Sequence, residues 1–154
     1  MDENEKLAGM VNVTNKPPLF RTATASGAIR LKKSTIEAIK EGRIKKGDVL
    51  ATARLAAILA VKDTPRIIPL CHNIPITGLE VEFDLKEPDK ISVAVMVTSV
   101  GTTGVEMEAL TGVAVALLNV WDMVKYLEKD ETGKYPETEV CNILVLEKNK
   151  EKQL

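Results

Sequence analysis

Most side chains able to do chemistry fall into four short segments. In Ile67-Ile68-Pro69-Leu70-Cys71-His72-Asn73-Ile74-Pro75 an imidazole and a thiol lie between two prolines, which fix their own φ and restrict the residues before them. Such a stiffened loop can set a side chain accurately for proton transfer or binding; the spacing equally allows a backbone-satisfied histidine beside a small buried thiol. In Gly101-Thr102-Thr103-Gly104-Val105-Glu106-Met107-Glu108 the free N–H groups of a helix start could hold an anion. That segment lacks the phosphate-loop pattern GxxxxGK(S/T) and carries two carboxylates, and macrodipole complementation worth ~0.3–1 kcal/mol accounts for one of them as well. In Asn119–Tyr126, Asp122 and Lys125 are i, i+3 neighbours: a surface ion pair worth ~0.2–0.5 kcal/mol, or a carboxylate base beside a cation for phosphate or a developing oxyanion. Lys45-Lys46-Gly47-Asp48 reads either as a solvated turn with Asp48 as helix cap, or as a site where Lys46 meets phosphate or moves a proton.

Helix geometry constrains these groups. Residues two apart point ~200° apart, so Glu106 and Glu108 cannot both face one site if both are helical. Glu108 and Asp122 are fourteen steps apart, on the order of 21 Å of straight helix. If both ends matter, the substrate stretches along the helix or sits where two subunits meet, and Lys46 and Asp122 could then serve one site from different chains.

The rest of the composition narrows the chemistry. The 154 residues suit a single domain, 1–154, with residues 1–9 and 149–154 expected as mobile tails. Lys and Arg number 21 against 22 Asp and Glu, a balance without the basic excess that nucleic acid binding needs. No charge-free apolar run approaches the ~20 residues of a membrane span, and the acidic start MDENEKLAG is no signal peptide. Cys71 and Cys141 form no CxxC motif, so both are expected as reduced thiols in the cytoplasm. With one histidine and two cysteines, a structural zinc site is not expected and no metal ligand is assigned. Aromatic residues make up only 3%. Chemistry near pH 7 must therefore use His72 or shifted Lys, Asp and Glu.

The elements that must position these groups follow from periodicity. RTATASGAIRL (21–31) predicts a first strand, and Ser34-Thr35-Ile36-Glu37 fits a capping box opening a short helix that stops at Gly42. Asp48 caps a second helix to about Lys62, where Pro65 should forbid continuation. That helix is apolar nearly all round, which predicts burial on several sides with a second subunit as part of the cover. Leu79, Val81 and Phe83 alternate with Glu80, Glu82 and Asp84, predicting a strand wet on one side; KEPDK turns it back into the more buried ISVAVMVTS. A long helix from about Val105 to Leu127 and a last strand VCNILVLE complete the order. The expected class is α+β, ferredoxin-like βαββαβ, an antiparallel sheet with helices packed on one face and a short extra N-terminal segment.

Taken together, MVNVTNK, LFRTATASGAI, GRIKKGDVLATARLAAI, IPLCH, TGVEMEALTGVAVALLNVWDM and the following Lys125 resemble, in order, the MoaC family, the cyclic pyranopterin monophosphate synthases of molybdenum cofactor biosynthesis. The resemblance runs from about Met10 to Lys125, and more faintly to Lys148. It implies a ferredoxin-like fold and an acid/base lyase that turns 3′,8-cyclo-7,8-dihydro-GTP into cyclic pyranopterin monophosphate with release of pyrophosphate. No cofactor would be required, though magnesium could accompany the substrate phosphates. The implied assembly is a homohexamer, a trimer of dimers with sites between subunits. By resemblance, Asp122, Lys46, Lys125 and Lys148 match catalytic positions, and Leu70, Cys71, His72, Glu106, Met107, Glu108 and Arg21 match substrate-binding ones. The chain departs from the family in Asn12 and Thr14 of MVNVT, around Pro75, and in the tail, where a lysine followed by SGGKSG is common and Lys148-Asn149-Lys150-Glu151-Lys152 stands here. Two rival readings are a ferredoxin-like regulatory domain that binds a purine nucleotide without turnover, and an oligomerising scaffold.

Overall fold

The computed structural model describes residues 9–151. Its elements are β1 (Leu19–Arg30), α1 (Lys33–Lys40), α2 (Val49–Ile67), β2 (Ile76–Asp84), β3 (Lys90–Gly101), α3 (Glu106–Glu128) and β4 (Glu139–Glu151). The strands form one antiparallel sheet in the order β2-β3-β1-β4. This is the expected ferredoxin-like α+β arrangement, extended by α1.

Period-two patterning builds the sheet. Ile91, Val93, Val95 and Val97 of β3, with Ala23 and Ala25 of β1, are buried on one side. Against this face lies α3, and α2 packs beside it. The small residues of α2 recur at fourth positions, Val49, Ala53, Ala57 and Val61, and make a buried stripe that lets the two helices approach closely. At the closest point stands Gly112 of α3, where an added Cβ would lie 2.8 Å from Val61 and 3.2 Å from Val95. Although α3 has the length and apolarity of a membrane span, the chain buries it as the central helix of the core.

Three expectations need correction. Ser34 does not open α1: the helix starts at Lys33 with Lys32 at the N-cap, and no side chain of that residue caps it. Instead the carboxylate of Glu128, fully buried at the end of α3, accepts hydrogen bonds from the Lys32 N–H (3.2 Å), the Thr35 hydroxyl and the Thr138 hydroxyl (2.9 Å). A tertiary acceptor has displaced the local one. Nor does Pro65 end α2, which continues to Ile67; a proline in the final turn removes one intrahelical bond and leaves the rest. Within one chain, α2 buries one stripe and leaves Leu55 and Leu59 exposed. The expected C-terminal tail is strand as far as Glu151, because its residues pair with Phe20–Ala23 of β1. Residues 1–8 and 152–154 of the expected tails lie outside the described residues.

Glu128 ties the end of α3 to the start of α1 and the approach to β4, so its removal should be felt globally. Glu128→Ala strands two buried hydroxyls and a backbone N–H, and an expected loss of about 3 kcal/mol should appear in urea unfolding. A loss below ~1 kcal/mol would show that water replaces the carboxylate.

Candidate active site

The candidate residues gather in two clusters, one at each end of α3. At its start, Val105 is the N-cap without a capping side chain, and Glu106 and Glu108 occupy the first turn. They point different ways, as the helical spacing requires. One oxygen of Glu106 accepts from the Lys148 ammonium at 3.2 Å, while one oxygen of Glu108 faces the Cys71 thiol at 3.7 Å. Yet both border one place: Glu106 lines a cavity of about 310 Å³ with Leu70, Cys71, His72 and Met107, and Glu108 is buried behind Cys71. Among the described residues, the second oxygen of each glutamate is buried without a hydrogen-bond partner. His72 Nε2 hydrogen-bonds the carbonyl of Val11, which draws the segment Met10–Thr14 over the histidine loop.

Beside this cavity, and sharing Gly104 and Glu106 with it, lies a second one of about 420 Å³ bordered by Lys16, Arg21, Lys148 and Lys150. Strand register explains three of these cations. Lys148 stands opposite Ala23 and Lys150 opposite Arg21, and directly opposed residues share a face of the sheet. Arg21 is nearly buried and donates from Nε to the Gly101 carbonyl at 3.0 Å, which fixes its guanidinium at the cavity. Four cations against one lining carboxylate suit a polyanion. Lys16 and Lys150 are not among the site residues that the sequence motifs imply. Alternation of Lys148 and Lys150 is visible in the sequence, but it has meaning only once the segment is known to be a strand.

At the other end of α3, Asp122 is held by two ammonium groups, Lys46 at 3.0 Å on Oδ2 and Lys125 at 3.1 Å on Oδ1. Lys46 also donates to the Asp122 carbonyl at 3.1 Å. The local i, i+3 pair is thus formed, and Lys46 is no free turn lysine. Asp48 caps α2 through the Ala51 N–H at 3.0 Å, as expected. Because Lys46 and Asp122 touch within one chain, the expectation that they serve a site from different chains is corrected. The candidate residues thus fall into this cluster and the one at the start of α3. A cavity of about 750 Å³ between Arg30–Ser34 and Pro136–Glu139 contains none of the candidate residues.

Electrostatics sets the two ends apart. The Lys46 ammonium, then that of Lys125, holds the exposed Asp122 carboxyl below the usual carboxylate range. Burial pushes the Glu108 carboxyl up, opposed only in part by its hydrogen bonds. Burial and the nearby Glu108 raise the Cys71 thiol, which keeps it a protonated donor at neutral pH.

An α+β domain with a polycationic cavity beside a thiol and a buried carboxyl suits an anionic small molecule. The MoaC family model matches residues 10–151, and the chain belongs to that family. It is 58% identical over 147 residues to a probable cyclic pyranopterin monophosphate synthase accessory protein of Methanothermobacter thermautotrophicus, covering 96% of this chain and 92% of that one. Probable cyclic pyranopterin monophosphate synthases of Methanococcoides burtonii and Pyrococcus horikoshii are 59% identical over 144 residues and 57% over 147. These alignments cover 94% and 96% of this chain, and 90% and 92% of the relatives.

The raised Glu108 carboxyl gives a signed prediction. The folded state holds a proton there that the unfolded chain releases near pH 4.5, so this group's contribution to stability falls as pH rises from 4.5 through the raised value. Glu108→Gln removes that dependence. The melting temperature of the variant minus that of the wild type should grow as pH rises above about 4.5, then level off. A difference independent of pH between 4 and 8 would contradict the assignment.

Proposed function

We propose that this chain converts 3′,8-cyclo-7,8-dihydro-GTP into cyclic pyranopterin monophosphate with release of pyrophosphate, as a lyase of molybdenum cofactor biosynthesis. The reading as a regulatory domain without turnover is not favoured, because relatives at 57–59% identity over nearly the whole chain carry synthase names. One observation carries the site assignment. Asp122, Lys46 and Lys125, the catalytic residues that the resemblance implies before the tail, converge in one hydrogen-bonded cluster although Lys46 lies 76 residues from Asp122.

In this reading Asp122, kept ionised by its lysines, takes a proton from the substrate, and Lys46 and Lys125 return protons and stabilise developing negative charge. Arg21, Lys148, Lys16 and Lys150 hold the phosphates, which here include those leaving as pyrophosphate. Leu70, Cys71, His72, Glu106, Met107 and Glu108 hold the base and ribose. No resident cofactor takes part in the proposed reaction; magnesium would travel with the phosphates. The two clusters are separated by about 21 Å of helix, so the proposed site joins the start of α3 in one subunit to the Asp122 end in another. A homohexamer arranged as a trimer of dimers supplies such contacts. The exposed Leu55, Leu59, Leu118 and Ile143–Leu146 offer apolar surface for them. The reading sets the enzyme in the cytoplasm, with Cys71 and Cys141 as free thiols.

Purified protein given the cyclised dihydro-GTP should release pyrophosphate, and no release would refute the enzyme reading. Asp122→Asn should stay folded and assembled while losing about 10²- to 10⁴-fold in turnover. Shared sites predict complementation between the two ends. Mixed oligomers of inactive Asp122→Asn and inactive His72→Ala should regain activity, whereas Lys46→Ala with Asp122→Asn should not, since both substitutions damage the same half. Mixed oligomers that form and stay inactive in the first pairing would rule out the shared site.

A further inference from the structure

We propose that Tyr126 is the positioning residue for Lys46, its hydroxyl holding the α1–α2 connection against α3 so that the Lys46 ammonium meets Asp122. The inference rests on the reading of Asp122, Lys46 and Lys125 as the proton-transfer cluster. Lys46 belongs to the exposed connection 41–48, whose one buried apolar anchor is Ile44. The connection bonds to itself and to α1, through the Arg43 N–H to Ala38 (2.9 Å) and the Gly47 N–H to Ile44 (3.1 Å). The chain turns away straight after Lys46, at Gly47, whose φ of +113° suits glycine.

Nothing in these bonds directs Lys46 toward α3. Among the described residues, the hydrogen bonds from the connection to α3 are those of Lys46 itself and one other, from the Lys45 N–H to the Tyr126 hydroxyl at 3.0 Å. The exposed Lys45 ammonium lies 5.2 Å from the centre of the Tyr126 ring, a contact screened by solvent that adds little to the hydrogen bond. Asp122 and Tyr126 are i, i+4 on α3, and Asp122 and Lys125 are i, i+3, so phenol, carboxylate and second lysine share one helix face. Pinning the peptide next to Lys46 leaves only side-chain torsions to be ordered when its ammonium reaches across. The charged groups facing Asp122 are Lys46 from the connection and Lys125 from α3, while Lys45 faces the tyrosine.

Tyr126→Phe keeps the ring and deletes the acceptor. Expected are a fall in kcat of about tenfold with KM little changed, and faster hydrogen exchange at the Lys45 amide. The acid limb of the kcat profile should move to higher pH, because Asp122 loses part of the cation that keeps it ionised. Lys45→Ala, which retains the donating N–H, should leave both kcat and the limb unchanged. A Tyr126→Phe enzyme with wild-type kcat and acid limb overturns the proposal, as does a Lys45→Ala enzyme equally impaired. Asp122→Asn measured alongside separates the two levels. If it keeps turnover, the reading of the cluster fails and the proposal with it; if it is inactive while Tyr126→Phe behaves as wild type, the role of Tyr126 alone fails.

Discussion

A helix of 23 residues has a fixed length, and here α3 carries reactive groups at both ends. From Glu108 to Asp122 it rises about 21 Å, farther than side chains from either end can close. At its middle, Gly112 packs α3 against Val61 of α2 and Val95 of β3 with no room for even a Cβ. The same close packing gives the fold its core and holds the two clusters apart. Apolar surface left uncovered on α2, α3 and β4 is therefore read together with the divided site: a second chain can cover the one and complete the other.

What fixes the Asp122 end is a chain of polar contacts that begins in the core. Glu128 lies six residues beyond Asp122 and is anchored by Lys32, Thr35 and Thr138, so the start of α1 is bound to the end of α3. The connection leaving α1 then passes Tyr126 and delivers Lys46 to Asp122. A buried carboxylate with three donors and an exposed one with two ammonium partners thus do different work within two turns of one helix. The first orders backbone; the second keeps a charge available at the surface.

Much of the fold was legible in the sequence because period-two and helical patterns report burial directly. Leu79, Val81 and Phe83 identified β2, and the alternation of Ile91, Val93, Val95 and Val97 gives β3 its buried face. Where reading failed, a tertiary partner had replaced a local signal. Ser34 and Glu37 fit a capping box, yet Glu128 takes that end of α1 from 93 residues away at Thr35. The tail KNKE has no apolar alternation, but pairing with β1 makes it strand, and only that pairing brings Lys150 beside Arg21. At the site, the motifs identified which residues to examine. They could not say that Lys46 and Asp122 lie in the same half, because the answer depends on a connection crossing α3.

The shortage of aromatic rings and the single histidine first suggested that the chain had little with which to titrate near neutrality. The structure sets two carboxylates of α3 in contrasting environments. Glu108 is buried beside a protonated thiol and raised, while Asp122 is exposed between two lysines and lowered. Two residues with similar ordinary pKa values are driven in opposite directions by environment, the arrangement by which one site can hold an acid and a base at the same pH. The two sit at opposite ends of α3, so in the proposed assembly that pairing forms where one chain's Glu108 end meets another chain's Asp122 end. Assembly, in this reading, is part of the acid/base chemistry as well as a cover for apolar surface.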